Sequence, residues 1–154
     1  MTPNIATTKE LSARLLQCGV SAESADMCYQ FIDECFNNTD NPICNTPKEQ
    51  YATVSGYGFG GHRIHITPAW SLSALLGLLP KEIDIDGYAY RISIYFENPD
   101  EPVIGNQWCL YYKPKKHNEK SRIDDVPMYA PDLIECAVLM IEWLTANNYK
   151  LNEL

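Results

Sequence analysis

The densest apolar run of the chain lies at residues 68–80, between two prolines. Leu72, Leu75, Leu76 and Leu79 recur there at i, i+3, i+4 and i+7, which predicts a short helix with one buried face. Leu78 adds a second apolar edge, Ser71 is placed to cap the start, and Pro80 ends the ladder. The run falls short of the about 20 apolar residues that span a bilayer, so it reads as a core element.

N-terminal to it, Thr7 or Thr8 is placed to cap a helix running to Cys18. Leu11, Leu15 and Cys18 share one face, and Gly19 is the terminator. Ala25, Cys28, Ile32, Cys35 and Phe36 predict a second helix behind a Ser21 cap, which makes an N-terminal αα-hairpin. Turn-forming residues fill 37–42 and a loop is expected over 43–50. Residues 51–55 read as a strand, and so do residues 62–67 after a glycine-rich segment.

C-terminal to the leucine run the period changes to two. Ile83 and Ile85 alternate with Asp84 and Asp86, and Asp86-Gly87 is the residue pair of a type I′ hairpin turn. Tyr90, Ile92, Ile94 and Phe96 then point one way, against Arg91, Ser93 and Tyr95. Residues 98–102 read as a turn. Trp108, Leu110 and Tyr112 define a further strand, and 113–126 a polar loop. A last helix starts near Ala130-Pro131 and carries the broad stripe Leu133, Ile134, Ala137, Val138, Ile141 and Leu144, widened by Met140 and Trp143. The pattern gives an α+β domain: an antiparallel sheet of three or four strands packed by helices, with the N-terminal αα-hairpin alongside. No repeat, linker or low-complexity tract divides it, so residues 1–154 read as a single domain.

Charge narrows the partners. The formal net charge of −8 disfavours a surface for nucleic acid, whose affinity rests largely on clustered Lys and Arg. The one basic cluster, Lys113, Lys115 and Lys116 with His117 and Lys120, reads as a solvated loop. Residues 1–10 show neither an apolar h-region nor a basic n-region, so the six cysteines are expected as reduced thiols of a cytoplasmic protein.

Specific chemistry is sparse. Gly56, Gly58 and Gly61 fit GxGxxG, but a strand-like segment follows where a dinucleotide loop requires a helix. The segment reads as a hairpin loop, and no cofactor is expected. Tyr57, Phe59, His62 and Arg63 around it form the expected contact surface. His62 and His65 are three apart, which on a strand sends them to opposite faces. No CxxC accompanies them, so no metal site is expected. Cys109, opposite in phase to Trp108 and Leu110, would be open for a Cys–His pair with His62 or His65, but no orienting group or oxyanion motif accompanies it. Asp84 and Asp86 share a strand face and read as solvent-facing residues beside the turn. Trp70 occupies a staple position ahead of the helix cap. Tyr88, Tyr95 and Tyr111 fall on the second face of the sheet or at its edge. That face either binds a partner or is buried under a helix.

Three segments carry a resemblance: 15–20 leading into 24–29 (Leu-Leu-Gln-Cys-Gly-Val and Ser-Ala-Asp-Met-Cys-Tyr), 68–76 (Pro-Ala-Trp-Ser-Leu-Ser-Ala-Leu-Leu), and 140–144 with Asn147, Asn148 and Tyr149 behind it. In this order they resemble a group of small uncharacterised proteins of Bacteroides-type gut bacteria, their mobile elements and phages. The resemblance implies a cytoplasmic single-domain protein of phage or mobile-element ancestry. It implies no reaction and carries over no catalytic residue. Residues 56–61 stand outside the shared pattern.

The expected function is therefore a non-catalytic protein-interaction module whose partner is another protein, possibly a second copy of itself, with no direct nucleic acid and no membrane. Two alternatives stand beside it. One is an acidic decoy or inhibitor of a nucleic-acid-binding protein. The other is an enzyme using His62, His65 or Cys109.

Overall fold

Thr8 starts the first helix, α1 (Lys9–Gln17), by accepting the Leu11 N–H on its side chain at 3.2 Å. Gly19 ends it in the left-handed region, φ +88°, as the sequence predicts. The computed structural model describes residues 4–32, 41–56, 63–96, 107–116 and 126–153. These form an α+β protein whose contacts divide the chain into two compact units, Met1–Leu75 and Leu76–Leu154. The division falls inside the leucine-rich helix α3 (Leu72–Leu78).

The first unit departs from the expected αα-hairpin. Ser21 caps only a single 3-10 turn, Ala22–Ser24, and the chain then extends as strand β1 (Met27–Ile32). β1 pairs antiparallel with β2 (Ile64–Ala69), from Met27 opposite Ala69 to Ile32 opposite Ile64. Five of the six β1 residues are buried, so both strand faces carry apolar side chains and the spacing of Ala25, Cys28 and Ile32 imitates a helix. Tertiary bonds fix the extended form. Asp26 accepts the Ser71 N–H at 2.8 Å, and the Tyr29 hydroxyl donates to the Thr7 carbonyl at 2.9 Å. Thr7 is fully buried. Its N–H donates to the Trp70 carbonyl, and its Oγ1 accepts the Trp70 N–H at 3.0 Å and shares a hydrogen bond with the buried Ser12 hydroxyl. Trp70 is also fully buried, and its indole N–H donates to Ser24 Oγ at 2.9 Å, which confirms the structural role read for it.

Residues 51–55, expected as a strand, lie in helix α2 (Pro47–Gly56). Its start is a reciprocal capping box. Thr46 Oγ1 accepts the Glu49 N–H at 3.2 Å, and Glu49 Oε2 accepts the Thr46 N–H at 3.3 Å. Pro47 occupies the first helical position, where its missing N–H is harmless. The buried Gln50 fixes the helix by donating to Gln30 Oε1 at 2.7 Å and accepting from Asn45 at 2.9 Å.

The second unit holds the predicted antiparallel sheet, with strands in the order β3 (Glu82–Ile85), β4 (Tyr88–Phe96), β5 (Trp108–Pro114) and β6 (Val126–Ala130). Asp86 (φ +53°) and Gly87 (φ +87°) make the β3–β4 turn, and Asp84 Oδ1 closes it by accepting the Gly87 N–H at 2.8 Å. Strand β6 lies partly in the stretch expected as a loop; Pro127 sits within it, and a proline is tolerated there because β6 is the edge of the described sheet. Helix α4 (Leu133–Ala146) packs on β5 and β6. Asp132 is its cap, accepting the Ile134 N–H at 2.8 Å, so Pro131 precedes the helix instead of opening it. The seam between α4 and the sheet buries Leu110, Tyr112, Ile134, Val138, Ile141 and Leu144. The Tyr112 hydroxyl reaches the Pro80 carbonyl at 2.6 Å.

Candidate interaction surface

The register of β3 to β6 sorts the sheet residues into two faces. Tyr90, Leu110 and Tyr112 point to the α4 side and are buried. The opposite face is laid out in three rows across the strands. The first runs Glu82, Arg91, Lys113; the second Ser93, Tyr111, Pro127; the third Tyr95, Cys109, Tyr129. Adjacent rows are two residues apart along a strand, or about 7 Å.

The third row is the most ordered part of this face. Tyr129 and the Cys109 thiol share the row of Tyr95 on the two strands beyond it, and both act on its phenol. Their effect favours the neutral phenol. Hydrogen bonding with Tyr129 is the largest cause raising the Tyr95 phenol above the usual tyrosine value, with desolvation next. The rings of Tyr95 and Tyr111 meet edge to face, 5.3 Å between centroids. Tyr95 and Tyr129 nevertheless remain 38% and 41% exposed, while Cys109 beneath them is 1% exposed. Cys109 was expected to be open to solvent. It is buried, with Tyr95 and Tyr129 on either side of it in its row.

The first row is charged. Arg91 and Lys113 are directly opposite on adjacent strands and both are exposed. Glu82 is bridged by Lys115 at 3.0 Å, and that hydrogen bond is the largest cause lowering its pKa. Thus Lys113, expected in a solvated loop, belongs to the end of β5 and the sheet face, and Lys115 follows just past the strand.

The other sequence-derived candidates are dispersed or lie elsewhere. Tyr57, Phe59 and His62 fall outside the described residues, as do Cys35, His117 and Lys120; Arg63 is exposed just ahead of β2. Gly56 is the last residue of α2 and β2 follows the glycines, the reverse of the strand-then-helix order a dinucleotide loop needs. His65 is exposed on β2, its ring 5.7 Å from that of Phe31 opposite. Among the described residues no three His, Cys, Asp or Glu side chains gather as metal ligands. Cys28 and Cys136 are buried, and burial pushes each thiol pKa up to about 11. Cys44 is exposed, and Cys18 is half-buried at the end of α1 instead of in its apolar face. Tyr88 shares the parity of Tyr90 and so belongs to the α4 side, not the open face. Tyr129 was missed because its strand was hidden by Pro127.

No family model, curated protein or solved structure matches this chain. Among the described residues no helix is long and apolar enough to cross a membrane.

Proposed function

We propose that this chain is a non-catalytic protein-interaction module, cytoplasmic and of phage or mobile-element ancestry, and that the tyrosine face of the β3–β6 sheet is its contact surface. The observation that carries the reading is the exposure of Tyr95 and Tyr129 in one row of the sheet. Tyrosine is enriched at protein interfaces because a rigid ring supplies large contact area at small entropic cost. Arg91 and Lys113 lie beyond the Ser93–Tyr111 row, at the charged end of the same face. The buried state of Cys109 argues against its use as a nucleophile. The five described cysteines are all free thiols, in keeping with a reducing compartment.

The test is a pull-down from host lysate with tagged chain, run beside the Tyr95→Ser/Tyr129→Ser variant. The reading predicts a specific partner band for the native chain and its loss in a variant that still melts cooperatively. Equal capture by both proteins contradicts it.

A further inference from the structure

We infer that residues 149–152 form a strap that locks the C-terminal end of α3 and opens while the sheet and α4 stay folded. The inference concerns the second unit alone and does not rest on the reading of the tyrosine face.

The exit from α4 aims the strap. Asn148 adopts the left-handed conformation, φ +63°, which asparagine tolerates better than most residues. The Asn148 N–H donates to the Thr145 carbonyl at 3.2 Å and the Tyr149 N–H to the Leu144 carbonyl at 2.9 Å, the two bonds of a Schellman motif. The chain leaves the helix there, and the Tyr149 ring stacks on that of Trp143, with 5.5 Å between centroids and 16° between planes.

Asn152 then reaches α3. The last carbonyls of a helix have no partners within it and need donors from elsewhere. Asn152 supplies three. Its side-chain amide, which carries two hydrogens, donates to the Gly77 and Leu79 carbonyls, each at 3.0 Å, and its backbone N–H donates to the Leu78 carbonyl at 2.8 Å. Pro80 follows, and its carbonyl accepts from the Tyr112 hydroxyl. An aspartate in place of Asn152 would have no side-chain donor and would set a negative charge against the negative end of the helix. None of residues 149–152 is buried, whereas Leu78 and Leu79 are. The strap is therefore held by hydrogen bonds and one ring stack over little buried area, which places its opening at the low end of local unfolding energies. Opening strips the donors from three consecutive carbonyls, so the last turn of α3 loosens with it. A ligand that captures residues 149–152 in the open form thereby acts on the leucine-rich helix.

The experiment is amide hydrogen exchange on the full chain at neutral pH, native and substituted at Asn152, followed residue by residue by NMR. In the native chain the residue 152 amide and those of the last turn of α3 should share one opening equilibrium, reached more often than that of the middle of α4. Asn152→Ala should speed exchange of both sets by roughly tenfold or more, the scale of two lost hydrogen bonds, and leave the amides of α4, β4 and β5 at their native rates. Asn152→Asp should speed both sets further than Asn152→Ala, because its charge faces the freed carbonyls. Faster exchange at residue 152 that spares α3, equal protection in Asn152→Asp and Asn152→Ala, equal acceleration across the whole unit, or a variant that no longer folds would each overturn the inference.

Discussion

Tyr95 on β4 and Tyr129 on β6 flank Cys109 in one row of the sheet, and the thiol between these two exposed tyrosines is buried. The two tyrosines thus stand as a small lid beside the buried thiol. The lid explains how a cysteine on the open side of a sheet comes to be buried.

The lid makes Cys109 a reporter. In Tyr129→Ala the thiol loses half its cover, and its labelling by a maleimide or disulfide reagent should accelerate by about tenfold or more, following exposure. Cys28 and Cys136 should keep their slow rates, and Cys44 should label at once in both proteins. The check is mass spectrometry of labelled peptides against time. An unchanged rate at Cys109 would show that something other than Tyr129 shields it.

Core truncation should grade with burial. Leu75 and Leu144 are fully buried, and either changed to alanine should cost about 2–5 kcal/mol in denaturant unfolding. Leu76 is only half-buried, so Leu76→Ala should cost less than Leu75→Ala. Reversal of that order would show that the buried face of α3 is assigned wrongly.

Alkaline pH should destabilise the fold. Burial raises the Cys28 and Cys136 thiols from the ordinary 9.0 to about 11, and raises the Tyr112 phenol as well. Between pH 9 and pH 11 the unfolded chain releases protons from these thiols while the folded chain retains them, so stability is full below pH 9 and falls as pH rises through this window. Melting temperature measured against pH should decline from about pH 9. Cys28→Ala should flatten part of that slope, and an identical slope in the variant would contradict the assignment.

Helix caps should each carry a measurable share of stability. Asp132→Ala removes the acceptor for the Ile134 N–H and should cost about 1 kcal/mol, whereas Asp132→Asn or Asp132→Ser should retain most of it. A chemical denaturation series decides this, and an alanine variant as stable as the native chain would show that the cap is dispensable.

What the sequence made legible follows local physics. The Thr8 cap, Gly19, the Asp86-Gly87 turn and the apolar stripe of α4 are signals contained within one element. The misread stretches depend on distant partners or on a competing local signal. Met27–Ile32 is apolar on both faces, so its period alone does not separate a buried strand from a helix; pairing with β2 and the Asp26–Ser71 bonds decide it. At α2 a usable signal was present. Thr46-Pro47-Lys48-Glu49 is a capping-box pattern with proline at the first helical position, and it outweighs the β-branched Thr53 and Val54 that suggested a strand. Pro127 masked β6, and with it Tyr129. Half of the tyrosine lid was therefore invisible, although Tyr95, Tyr111 and the phase of Cys109 were read from alternation.

The central claim, that the open tyrosine face is where this protein meets its partner, is tested most directly by the labelling rate of Cys109 in native protein as concentration is raised or partner is added. If the face is the contact, the docked surface covers the lid and slows labelling of Cys109 further, in step with the fraction bound, while exposed Cys44 keeps its rate. If association proceeds and Cys109 labels at the same rate in the free and bound states, the contact lies on another surface and the account is wrong.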